Sequence, residues 1–149
     1  MRRMLVAGLA SACLVAFAPA ATAAEAQEVG QIKVASGEVH IERDGQRIAA
    51  APGVKVNRSD SVVTGRDGSV GITFSDNSLL SAGPGSVLVI ERYAFDTTTH
   101  AGYFDASLKK GTLAVVSGKI VKQSPGAMRV RTPSSIMGVR GTEFLVRVD

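Results

Sequence analysis

The chain has 149 residues, enough for one domain of ordinary size and too few for a large multidomain enzyme. With 45% hydrophobic and 20% charged residues it is not a disordered polyelectrolyte, and its formal net charge of +4 is spread too thinly to track a phosphate backbone. Sixteen glycines, 5% aromatics and no tryptophan suit short strands and tight turns better than packed helices.

The N-terminal stretch has the three parts of a secretory signal peptide. Arg2 and Arg3 form a positive start, Leu5 to Ala18 is apolar and uncharged, and Ala21-Thr22-Ala23 is a small-x-small cleavage site. The apolar run falls short of the roughly 20 residues that a membrane span needs. The expected organisation is a signal peptide over 1–23 and one domain over 24–149, with Ala24 and Ala26 as further possible cleavage points. The alternative is an uncleaved anchor. Cleavage removes two of 17 basic residues against 13 acidic ones, so a small positive excess remains. The single cysteine, Cys13, lies inside this segment. The mature domain is therefore expected to lack disulfides, a thiol nucleophile and cysteine-held metals.

From Ile32 onward the apolar residues recur with period two, which places one strand face on a core. Val39 and Ile41 alternate with His40 and Glu42, and Val54 and Val56 with Lys55 and Asn57. Val70, Ile72 and Phe74 share a face. Leu88 and Ile90 oppose Val87 and Val89. Phe104, Ala106 and Leu108 form another set, Met128 and Val130 alternate with Arg129 and Arg131, and Phe144, Val146 and Val148 oppose Leu145 and Arg147.

Turn signals interrupt these runs at Gly37, Asp44-Gly45, Pro52-Gly53, Asp67-Gly68, Asp76-Asn77, Gly83-Pro84-Gly85, Lys110-Gly111, Ser117-Gly118 and Pro125-Gly126. No stretch past the leader carries a 3.6-residue stripe over three turns. The reading is all-β. Gly68-Ser69-Val70 and Gly85-Ser86-Val87, seventeen residues apart, hint at a short β-solenoid or β-roll; a β-sandwich with similar hairpins is the alternative.

The most specific text is Val130 to Val146, which contains Thr132-Pro133 and the run Gly138-Val139-Arg140-Gly141-Thr142-Glu143-Phe144. With Gly37-Glu38-Val39, Asp60-Ser61-Val62-Val63-Thr64-Gly65, the segment Gly68 to Leu79 and Leu108 to Leu113, it resembles the FecR domain family from about Gly30 to Val148. The resemblance implies an exported, non-catalytic β-rich module with solenoid-like packing. Its best-known members sit on the periplasmic side of a membrane regulator and relay the state of an outer-membrane receptor to a sigma factor. Here the signal peptide stands where a cytoplasmic anti-sigma bundle and a transmembrane helix would precede the domain. The expectation is the module without the relay.

Within the closing run, Arg140 and Glu143 are expected either to form a charge pair or to cap loop carbonyls, closing the last strand on the core; a docking role for Arg140 is the functional alternative. Arg129, Arg131 and Arg147 fall on outward positions, with Lys119 and Lys122 near in sequence. They are candidates for a cationic binding face, or for a solvated edge that resists aggregation. His40 and His100 lack further ligands nearby, so His40 is expected to be solvated and no metal or other cofactor is expected. Asp44, Asp67 and Asp76 read as turn residues. Ser107-Leu108-Lys109-Lys110 fits Ser-x-x-Lys spacing, but lies in a strand where serine and lysine point to opposite faces. No catalytic residues are assigned.

The function expected is an exported interaction module in envelope signalling or assembly, in the periplasm or secreted. It would bind an envelope protein, an outer-membrane receptor or a membrane sensor, rather than nucleic acid. The alternative partner is peptidoglycan or another acidic polymer.

Overall fold

The computed structural model describes residues 28–149, so the signal-peptide reading lies outside the described residues. The strands in chain order are β1 (Glu28–Ser36), β2 (Val39–Arg43), β3 (Gln46–Ala49), β4 (Lys55–Asn57), β5 (Ser61–Thr64), β6 (Ser69–Phe74), β7 (Leu79–Ala82), β8 (Val87–Phe95) and β9 (Gly102–Val116). The short helix α1 (Lys119–Gln123) follows, then β10 (Met128–Arg131), β11 (Ile136–Val139) and β12 (Glu143–Val148). The all-β expectation holds, and the strands form a single curled sheet resembling half a barrel.

Strand β9 organises this sheet. Its first part, Gly102 to Lys110, pairs with β8, and Phe104 to Ser107 also pair with β10. Its second part, Gly111 to Val116, pairs with β12, and Leu113 to Val116 also pair with β7. One wing therefore runs β3-β2-β5-β8-β9-β10-β11 and the other β4-β1-β6-β7-β9-β12, with β9 common to both. All pairs are antiparallel except β9 with β10. The Gly-Ser-Val echo opens β6 and β8, which belong to different wings and are separated by β7 and β9. The repeated triplet marks strand starts, not neighbouring coils.

Lys110-Gly111, expected as a turn, instead lies within β9. Gly111 has φ +94°, and the register slips between Val87 and Leu88 where β8 pairs with this segment. The backbone bends there so that one strand can serve both wings. Ser86 fills the inside of the bend. Its Oγ accepts from the Thr112 N–H at 3.0 Å and donates to the Gly83 carbonyl at 2.7 Å, and its N–H donates to Thr64 Oγ1 at 2.8 Å. The Asp44-Gly45 signal is a two-residue hairpin turn between β2 and β3, with both φ values positive (51° and 76°), as a type I′ turn demands.

The core follows the alternation. In one wing Ile41, Val62, Leu88 and Leu108 lie in register across β2, β5, β8 and β9. In the other, Ile32, Ile72, Leu80 and Val115 do the same across β1, β6, β7 and β9. All eight are fully buried. Three aromatic rings join the wings: Phe74 and Phe104 have centroids 4.6 Å apart, and Tyr93 and Phe104 5.0 Å in an edge arrangement.

Two buried carboxylates organise the connections. Asp60 receives Arg43 Nε at 2.8 Å and a second guanidinium nitrogen at 2.6 Å, and it also accepts the Asn57 N–H at 2.8 Å. These hydrogen bonds raise the Arg43 guanidinium further above its ordinary value, against the opposing effect of burial. Asp76 accepts from the Ser78 hydroxyl at 2.6 Å, the Ser78 N–H at 3.1 Å, the Tyr93 hydroxyl at 3.2 Å and the Ile120 N–H at 3.3 Å. Helix α1, which the sequence reading did not foresee, is held by this cluster: the Lys119 N–H donates to the Asp76 carbonyl at 2.8 Å, while Ile120 and Val121 are buried. Five residues cannot display a helical stripe, and buried anchors replace intrinsic propensity.

Burial, reinforced by the Asp76 charge, pushes the Tyr93 phenol well above its ordinary value. An unfolded tyrosine ionises near pH 10, so stability present below that pH is expected to be lost as the pH rises above it. Replacing Tyr93 with phenylalanine is expected to cost about 1–3 kcal/mol near neutral pH, because the Asp76 carboxylate loses one of its two hydroxyl donors and the buried Asp76 N–H loses its acceptor. It should also flatten the alkaline fall. Melting temperatures from about pH 8 to about pH 11 check both effects; an unchanged alkaline slope in the variant would assign the fall to other groups.

Candidate functional site

The two wings present different outer faces, and the difference follows from register. On the β6-β7-β9 wing, Gly71, Ser81 and Ala114 lie side by side across the sheet, with Val34 of β1 and Leu145 of β12 at the two ends of the row. Val34 is 61% exposed and Leu145 69%. The adjacent row carries Thr73, Leu79 and Val116 in register, ending at Glu143. None of the outward residues on β6, β7 and this part of β9 is charged. The centre of the face is built from small side chains and is therefore level, with larger apolar groups at its margins.

The other wing is charged. Asp105 of β9 accepts from Arg129 Nε at 3.3 Å and lies 3.7 Å from a terminal nitrogen of Arg92. Arg92 in turn sits 4.6 Å over the Tyr103 ring. Arg131 approaches Glu91 at 4.0 Å. Arg129 and Arg131 thus share an outward face, as their alternation predicts, but with acidic neighbours from β8 and β9. Arg147 lies on β12, at the margin of the uncharged face, and pairs with Asp149 at 3.2 Å. Lys119 and Lys122 belong to α1. Exposed pairs of this kind contribute little stability, about 0–1 kcal/mol, but they offset the positive charge of the patch.

The closing run takes a different form from that expected. Gly138 and Val139 end β11, Val139 is buried, and Glu143 opens β12. Arg140 and Glu143 are both exposed, and among the described residues neither forms an ion pair or a side-chain hydrogen bond. The charge pair and the carbonyl cap are therefore replaced by another fastening. The Ser117 hydroxyl donates to the Gly141 carbonyl at 2.8 Å and the Ser117 N–H to the Thr142 carbonyl at 2.7 Å. Backbone carbonyls hold this loop, which leaves its charged side chains free to face water.

His40 also departs from expectation. It does point to the outer side, as strand parity requires, but only 11% of its side chain is exposed and Nε2 lies 3.2 Å from Glu42 Oε1. Its neighbours in register are Ala49 of β3 and Val63 of β5. His100, at φ +60°, stacks on Phe95 with centroids 5.9 Å apart. Among the described residues no three metal-ligating side chains cluster. Ser107 is nearly buried in β9 while Lys110 is exposed beyond the register slip. The described residues also include no helix long and apolar enough to cross a membrane.

Sequence reasoning passed over the Arg43–Asp60 pair and the uncharged face. A signal for the first was Asp60 beside the strand start Ser61. The second was readable only as Ser-Val-Gly-Ile-Thr, whose outward residues are all uncharged.

A family model described as FecR protein matches residues 60–149, more than half of the chain. Strands β1 to β4 lie ahead of that segment but belong to the same sheet, since β1 pairs with β6 and β2 with β5. No curated protein and no solved structure matches the chain.

Proposed function

Given that the chain belongs to the FecR family, a family of envelope signalling, we propose that it is an exported, non-catalytic module that binds a protein partner in the cell envelope. The observation that carries this reading is the level, uncharged outer face of β6, β7 and β9, centred on Gly71, Ser81 and Ala114. A strand or helix of a partner can lie on such a face without a pocket and without desolvating charge. The partner favoured is a receptor or membrane sensor that presents an apolar surface. An acidic polymer is less well supported, because Arg129 and Arg131 share their face with Asp105 and Glu91.

In-cell cross-linking of the tagged protein tests the reading. Ser81→Arg places a charge at the centre of the face without burying it, and is expected to abolish capture of an envelope protein with the fold intact by circular dichroism. Arg129→Gln with Arg131→Gln is expected to leave capture unchanged. The opposite pattern would move the binding face to the charged wing, and salt-sensitive retention on purified sacculi would favour the polymer.

A further inference from the structure

We infer that the protein forms a two-fold dimer in which β12 pairs antiparallel with β12 of a second copy, centred on Leu145. The junction uses the open backbone edge of β12, at the margin of the partner face proposed above, where Leu145 and Glu143 end its rows. Among the described residues, strand β12 has β9 on one side and no strand on the other. It has six residues, whereas the other edge strands are shorter: β3 and β11 have four each and β4 has three. Exposed edges are commonly guarded by lysine, proline or a bulge. β12 contains no lysine or proline, and its pairing with β9 runs without a register slip. Among the described residues it is the longest open edge, guarded only by the charges of Glu143 and Arg147.

Its side chains specify the occupant. The outward residues are Glu143, Leu145 and Arg147: negative, apolar, positive. An antiparallel two-fold through Leu145 sets Leu145 against its own copy and each Glu143 against the Arg147 of the other chain, giving two ion pairs across the junction. Few edges are complementary to themselves in this way, and self-complementarity is what a two-fold interface requires. On the inner side, half-buried Phe144 meets the Val146 position of the other copy, which extends the core across the junction. Leu145 is 69% exposed, the highest value among the large hydrophobic residues described. Among the described residues Glu143 has no charged partner, and the only one Arg147 has is Asp149, itself 92% exposed. Because the symmetry closes, pairing stops at two copies and does not run on as a fibre.

Sedimentation velocity on the protein recovered from cells expressing the full chain tests this. The wild type is expected to be dimeric at about 100 μM, a concentration at which a micromolar interface is nearly saturated. Glu143→Arg and Arg147→Glu each set like charges opposite one another and are expected to weaken the dimer at least about tenfold. Mixing those two variants in equal amounts is expected to restore it, since each then meets its complement. Both sites are exposed, so unchanged circular-dichroism spectra should exclude misfolding. A monomeric wild type, equal dimerisation by either variant alone, or failure of the mixture to associate would each overturn the inference. A monomer that still captures its envelope partner would leave the uncharged face standing and reject only the β12 junction.

Discussion

Replacing Gly111 with alanine is expected to destabilise the protein by about 4 kcal/mol, the sum of a left-handed backbone imposed on an L-residue and a collision in a packed bend. An added Cβ would stand 2.5 Å from Ser86 Cα and 2.6 Å from Ser86 Cβ, and the backbone there is at φ +94°. Removing the Ser86 side chain cannot relieve the first contact, so Ser86→Gly should rescue little. Gly45 supplies the control: its φ is +76° and an added Cβ meets nothing within 4 Å. Gly45→Ala should therefore cost only the conformational part, about 1 kcal/mol. Urea unfolding of the two variants separates backbone strain from collision. Equal losses would mean that β9 can straighten at Gly111 without harm, and that the bend does not define the fold. The consequence reaches function, because this bend sets the charged and the uncharged outer faces on one shared strand.

Replacing Arg43 with methionine is the second large effect, an expected loss of about 3 kcal/mol. Asp60 is 1% exposed, and without the guanidinium its carboxylate keeps the Asn57 N–H as its side-chain partner. A buried charge stripped of its partner typically costs about 3–5 kcal/mol, and the lower end applies because the Arg43 side chain is 30% exposed. Pairing Arg43→Met with Asp60→Asn should recover part of the loss, since the amide oxygen can still accept from Asn57 while no charge remains. Denaturant midpoints across this double-mutant cycle measure the coupling. A single-variant loss below about 1 kcal/mol would place the pair among solvent-screened surface bridges. The pair also explains how the strands ahead of the family match join the rest: Arg43 ends β2, and Asp60 is the first matched residue.

The candidate surfaces were legible in the sequence to different degrees. Arg129 and Arg131 could be placed on an outward face because they alternate with Met128 and Val130, and β10 has that parity. That Asp105 and Glu91 stand beside them could not, since those residues come from β8 and β9. The level face was hidden for the same reason. Gly71, Ser81 and Ala114 are unremarkable singly, and only register across three strands makes them a row. Arg140 and Glu143 invited a charge pair because Gly141 between them could bend the strand, yet Ser117 fastens the loop through its backbone, a partner more than twenty positions away.

By itself the sequence determined the all-β class, which residues of most strands face the core, where most turns fall and to which family the chain belongs. Those properties are local, or depend on order along the chain: side-chain parity alternates whatever strand lies alongside, and a glycine or proline constrains its own φ. The tertiary structure alone decided which strands are neighbours, that Gly111 bends a strand instead of ending it, that His40 is covered, and that Asp60 and Asp76 are buried with their partners. Each of those depends on pairing between segments far apart in the chain, and parity fixes a side chain's face without fixing what stands beside it.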